Sequence, residues 1–153
     1  MASSPLMIWA DHCATSSSRS VSVLDWKSAR SRIEYFPAGT KPPASLVADT
    51  LIHGSGETVQ SGRTLVIQYT GVDWNTGKNF DSSFTHKQAF STVIGGGKVI
   101  KGWDQGLVGK HVGDRVLLVI PPALGYGPSG GQADAGIGAN DTLVFVVDII
   151  DAL

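Results

Sequence analysis

Residues 65–70 read LVIQYT. Leu65, Ile67 and Tyr69 alternate with Val66, Gln68 and Thr70, the period-two pattern of a strand. Further short runs follow it. Asn75-Thr76-Gly77 supplies turn chemistry ahead of a strand at residues 78–82. Residues 91–94 read as another strand. Residues 115–120 make a third, stopped by Pro121-Pro122, because proline donates nothing to a ladder. Residues 142–150 (TLVFVVDII) form a β-branched run suited to a central strand. One stretch has a different period. Val99, Ile100, Trp103 and Leu107 are spaced for one face of a short helix, and Gly109 is placed to end it. Many strands and one helix define an α+β fold in which a sheet covers a helix.

The totals agree with that class. The chain has 153 residues, 42% of them apolar and 16% charged, which suits one globular domain with an extra arm. Most of the 19 glycines lie beyond residue 54, favouring tight turns over a helical bundle. A net charge of −1 offers no basic face for nucleic acid. No apolar run reaches the length of a membrane span, so no membrane partner is expected. The first 20 residues lack the charged and apolar blocks of a secretory signal. A single cysteine, Cys13, allows no internal disulfide. The expectation is therefore a cytoplasmic monomer.

Residues 1–45 differ in character. Ser16–Ser18 stand in a row, and Phe36-Pro37 and Pro42-Pro43 punctuate the end. Residues 1–45 are expected to form a largely mobile N-terminal arm. A short helix is expected at 25–34, where Asp25 can cap and Trp26, Ala29 and Ile33 share a face. The domain proper is expected over residues 46–153.

Several motifs stand in one order: IQYTG at 67–71, GKNFDSS at 77–83, KVIKGWDQGL at 98–107, LGYG at 124–127 and NDTLVFVVDII at 140–150. This ordered set resembles the FKBP-type peptidyl-prolyl cis–trans isomerases over about the last hundred residues, with ungapped spacing from Tyr69 to Tyr126. The resemblance implies an antiparallel twisted sheet wrapped around one short α-helix, with an apolar pocket between them. It places Trp103 on the pocket floor under the substrate proline ring. Tyr69, Phe80 and Phe145 become aromatic walls, and Phe90, Val99, Ile100 and Ile137 complete the apolar lining. The Val99–Ile100 backbone and the Tyr126 hydroxyl hold substrate carbonyls. Asp81 is the acidic pocket residue, read as orienting Tyr69 or meeting the twisting carbonyl carbon, and not as a general base. The implied partners are proline-containing polypeptides and macrolides such as tacrolimus and rapamycin. Neither a cofactor nor a metal is implied.

The residue types suit such a reaction. Amide resonance opposes rotation by about 18–20 kcal/mol, and Xaa–Pro bonds exchange slowly between two populated isomers. No bond breaks, so no nucleophile is required. The twisted transition state carries less charge separation than the planar amide, so a dry aromatic pocket favours it. A ten-thousand-fold acceleration needs about 5.4 kcal/mol.

Two competing motifs fail on context. Residues 125–130 (GYGPSG) match G-x-G-x-x-G, but no strand leads directly into them and no helix-forming sequence follows. Gly97-Lys98 is followed by Val99, where a P-loop needs Ser or Thr. The chain also departs from its resemblance at the rim. His86 stands where many family members carry an arginine facing Asp81, and Lys98 where an acidic residue is frequent. Thr92 replaces a frequent aromatic residue, and the glycine-rich loop from Tyr126 to Ile137 is about two residues longer than in the shortest members.

Overall fold

The computed structural model describes residues 41–153. Residues 1–40 of the arm expected over 1–45, with its helix at 25–34, lie outside the described residues. Strand β1 (Val47–Ile52) opens the fold, followed by β2 (Thr64–Asp73), β3 (Asn79–Ser82) and β4 (Phe90–Val93). Helix α1 (Lys101–Leu107) precedes β5 (Arg115–Ile120). A short hairpin, β6 (Gly131–Gln132) with β7 (Ile137–Gly138), interrupts the loop to β8 (Leu143–Ala152).

The main sheet runs β1-β5-β8-β2-β3, with β4 also pairing β2, and every pair is antiparallel. The β-branched run at β8 is therefore central, as its composition predicts. β2 divides its outer edge between two partners: residues 64–67 pair β4, and residues 70–72 pair β3. The divided edge separates Phe90 from Phe80 while keeping both beside β2.

The alternation at 65–70 sends Leu65, Ile67 and Tyr69 into the core, where they meet Val116, Leu118 and Ile120 of β5 and Phe145, Val147 and Ile149 of β8. Trp103 and Leu107 bring α1 onto that same inner face. The helix starts two residues later than the sequence spacing predicts. Ile100 is extended (φ −58°, ψ 146°) and caps the helix, so Val99 and Ile100 precede it. Val108 is extended again, and Gly109 adopts φ 87°, which ends the helix where expected.

α1 lies close to the sheet because it presents glycine there. A Cβ on Gly102 would stand 2.5 Å from Ile120 Cγ2, and one on Gly106 would stand 2.5 Å from Leu118 Cδ2. Alanine ordinarily strengthens a helix by about 1 kcal/mol over glycine. Here Ile120 and Leu118 have no exposed surface into which to retreat. Overpacking costs about 1–3 kcal/mol, so the usual sign is expected to reverse. Gly102→Ala should lower the urea midpoint of unfolding with an unchanged slope.

Candidate functional site

Between α1, β2, β3 and the loop after β5 lies a cavity of about 620 Å³. Trp103, 4% exposed, stands at its centre. Its ring meets Tyr69 edge-on at 5.2 Å between centroids and Phe145 edge-on at 5.2 Å. Phe80 continues the set against Phe145 at 5.5 Å, and Phe90 closes it against Tyr69 at 5.8 Å. Edge-to-face contacts of this kind add about 0.5–1.5 kcal/mol each beyond area burial. They hold the walls still. The indole N–H of Trp103 is buried without a hydrogen-bond partner among the described residues.

Register explains how distant residues converge. Gly71 of β2 lies opposite Phe145 of β8 and Asp81 of β3. With no side chain at 71, the rings of Phe80 and Phe145 close over the strand; a Cβ there would come within 2.6 Å of Phe80 Cζ. Val99 and Ile100 reach the cavity from the extended segment ahead of α1. That segment is anchored by Asp104, whose carboxylate accepts the N–H of Gly95 at 2.7 Å and of Gly97 at 2.9 Å.

The polar rim is built on Asp81. Oδ2 accepts the Tyr69 hydroxyl at 2.5 Å, and Oδ1 accepts the Ser82 N–H at 2.8 Å and lies 2.9 Å from His86 Nε2. Burial alone raises the Asp81 carboxyl, but the hydrogen bonds from Tyr69, His86 and Ser82 outweigh it and hold the group below the usual carboxylate range. Burial, the bond to Asp81 and its charge push the Tyr69 phenol well upward. Burial followed by the Asp81 charge raises Tyr126 as well. Both tyrosines therefore remain protonated, and Asp81 stays an ionised acceptor.

The sign of the resulting pH effect follows from that lowered Asp81 value. Its contribution to stability is present above the unfolded carboxylate range and is lost as pH falls through the folded value, below about pH 4. Thermal midpoints measured downward from about pH 5 should fall less steeply for Asp81→Asn than for the unaltered chain.

Nine of the ten pocket residues expected from the sequence line this cavity: Tyr69, Phe80, Asp81, Phe90, Val99, Ile100, Trp103, Tyr126 and Phe145. Ile137 does not. It is 4% exposed within the hydrophobic core beneath. His86 stands outside the lining, reaching the rim through Asp81. Ala123, Pro128 and Ser129 also line the cavity. Sequence reading passed over them because small residues in a glycine-rich loop carry no apolar period. That loop forms two consecutive 3-10 turns at Pro122–Leu124 and Gly127–Ser129, so the G-x-G-x-x-G match there opens no α-helix. Among the described residues no group of His, Cys, Asp and Glu is arranged to hold a metal, and no helix is long and apolar enough to cross a membrane.

Comparison with known proteins follows the same residues. The family model described as FKBP-type peptidyl-prolyl cis-trans isomerase matches residues 55–150. An FK506-binding protein of Streptomyces anulatus is 40% identical, covering 75% of this chain and 91% of its own length. FK506-binding protein 2 of Dictyostelium discoideum is 44% identical, covering 74% of this chain and 84% of its own. The crystal structure of AtFKBP13 superposes with a TM-score of 0.64 at 32% identity, over 73% of this chain and 96% of that one. An inner sheet face closed by one short helix, an aromatic cavity between them and these relatives lead to one assignment: the chain belongs to the family of FKBP-type peptidyl-prolyl cis–trans isomerases.

Proposed function

We propose that the chain accelerates rotation of Xaa–Pro bonds in folding polypeptides inside the cavity around Trp103, by desolvation and orientation and without a covalent intermediate. The observation that carries this reading is the set of interlocked rings of Tyr69, Trp103, Phe145 and Phe80. The proline ring rests on Trp103. Water is displaced from the carbonyl before it, which removes solvent stabilisation from the planar, charge-separated amide more than from the twisted one. The Ile100 N–H and the Tyr126 hydroxyl donate to the carbonyls on either side, fixing the peptide in a turn. Asp81 keeps the Tyr69 hydroxyl turned toward itself, so that the Tyr69 ring remains an apolar wall. A carboxylate held low and already accepting hydrogen bonds takes no proton from the substrate. In this reading the chain acts as a monomer, and neither nucleic acid nor a membrane takes part.

A cavity of this volume also suits a drug-sized ligand. Tacrolimus and rapamycin are proposed to occupy it and to compete with the peptide. The test is refolding of a model protein whose slow phase is limited by proline isomerisation. Micromolar protein is expected to shorten that phase, and tacrolimus to restore it. An unchanged slow phase would refute the catalytic reading, and acceleration indifferent to either macrolide would refute the proposed ligand.

A further inference from the structure

The outer edge of β2 lacks a strand partner just where it carries Tyr69. β4 pairs residues 64–67 and β3 pairs residues 70–72, so Gln68 and Tyr69 have no strand opposite them on that edge. Paired residues in an antiparallel ladder exchange N–H and carbonyl groups, and a buried backbone group left without a partner is costly. Ser83, one residue past the end of β3, supplies both halves of the exchange. Its hydroxyl oxygen accepts the Tyr69 N–H at 2.8 Å, and its own N–H donates to the Tyr69 carbonyl at 3.0 Å. The Ser83 hydroxyl proton goes to Gln68 Oε1, the side chain of the other unpartnered residue. The Ser82 hydroxyl adds a second donor to the Tyr69 carbonyl at 3.2 Å. Asp81, next to it, accepts the phenol hydroxyl of the same tyrosine. Three consecutive residues, Asp81-Ser82-Ser83, therefore hold Tyr69 by its hydroxyl, its carbonyl and its N–H.

The turn that carries His86 closes on the same residues. The Ser82 carbonyl accepts the Thr85 N–H at 3.1 Å, and the Ser83 carbonyl accepts the Gln88 N–H at 3.3 Å. Ser83 itself is 2% exposed and lines no part of the cavity. Any effect it has on a substrate must pass through Tyr69. We propose that Ser83 is a positioning residue: standing in for the missing strand, it fixes the Tyr69 ring as a wall of the cavity and aims the phenol at Asp81. The inference rests on the catalytic role given to the cavity above. Without the Ser83 hydroxyl the Tyr69 N–H loses its acceptor, and β2 shifts locally to find another. The ring then leaves its edge-on seat 5.2 Å from Trp103, and the bond to Asp81 lengthens.

Ser83→Ala is expected to lower kcat/KM for a proline peptide by about tenfold, the scale of a small misplacement in a catalytic wall. In a Tyr69→Leu background neither ring nor hydroxyl remains to be placed. There the same substitution should change kcat/KM by less than about twofold, because residues acting through one another are not additive. Ile149→Val, in the core and away from the cavity, serves as the stability control: it should lower the urea midpoint while leaving kcat/KM in place. A second readout needs no substrate. In the unaltered chain the Tyr69 hydroxyl proton should give a slowly exchanging, downfield NMR signal, and Ser83→Ala should move it upfield and speed its exchange. An equal loss of kcat/KM in both Tyr69 backgrounds would make Ser83 a purely structural residue and overturn the proposal. An unaltered hydroxyl signal in Ser83→Ala would overturn it as well. Because that signal is read on the free protein, the placement of Tyr69 is decided even where the refolding assay refutes catalysis.

Discussion

Trp103→Ala is expected to destabilise the domain by about 3–5 kcal/mol and to remove nearly all isomerase activity. The indole is 4% exposed and touches Tyr69, Phe145 and Phe90 at once, so truncation leaves a void bounded by three rings that all lose a shared contact. Domains of this size carry about 5–15 kcal/mol in total, which leaves a population that is folded but close to its limit. Stability is read from urea unfolding and activity from proline-limited refolding at low temperature, where the variant remains native. Trp103→Leu separates the two effects. It restores much of the buried apolar volume, so its stability should recover by more than half. Its activity should stay low, because a branched aliphatic chain gives no flat surface for a proline ring. Full activity in the leucine variant would remove Trp103 from its proposed role.

Gly71→Ala is expected to act in the opposite proportion. Its Cβ would meet Phe80 Cζ at 2.6 Å and Phe145 Cε1 at 2.7 Å. Phe145 is 3% exposed and locked between Trp103 and Tyr69, so it cannot yield. Phe80 is only partly buried and borders open volume, so it swings into the cavity. The rearrangement confines the stability cost to about 1–3 kcal/mol. The displaced ring then occupies space needed by the substrate. A large rise in KM for a proline peptide, alongside a small change in urea midpoint, is the expected pattern. Phe80→Ala in the same background should relieve the crowding and recover stability without recovering a complete wall.

The strands most legible in the sequence were those whose alternation or β-branching matched their burial. Leu65, Ile67 and Tyr69 face the core, and the run at β8 is the central strand. β1 escaped notice because its six residues are all half-buried, with Asp49 and Thr50 interrupting the apolar pattern at the sheet edge. Val99 and Ile100 were placed on the helix because their spacing fits one. The glycines at 95 and 97, both at positive φ and both bound by Asp104, hold the chain extended through Ile100 instead. Local period cannot register such a tertiary restraint. In the site, the aromatic walls were readable because large rings in this order leave a strong trace. The contributions of Ala123, Pro128 and Ser129 depend on how turns with left-handed glycines at 130 and 136 fold the loop back. Ile137 shows the converse. Its position in the pattern suggested lining, while the short β6–β7 hairpin buries it below the cavity.

The strand order β1-β5-β8-β2-β3 also governs what happens while the chain is being synthesised. β8 bridges β5 and β2, and it supplies Phe145 to the cavity. Until residues 143–152 have left the ribosome, β1 with β5 and β2 with β3 and β4 are two disconnected fragments, each with an unsatisfied edge and an exposed apolar face. Closing the sheet joins segments far apart in sequence, and such contacts form slowly. Exposed apolar surface and unpaired edges of that kind favour aggregation, and the cavity lacks the Phe145 wall until β8 has paired with both neighbours.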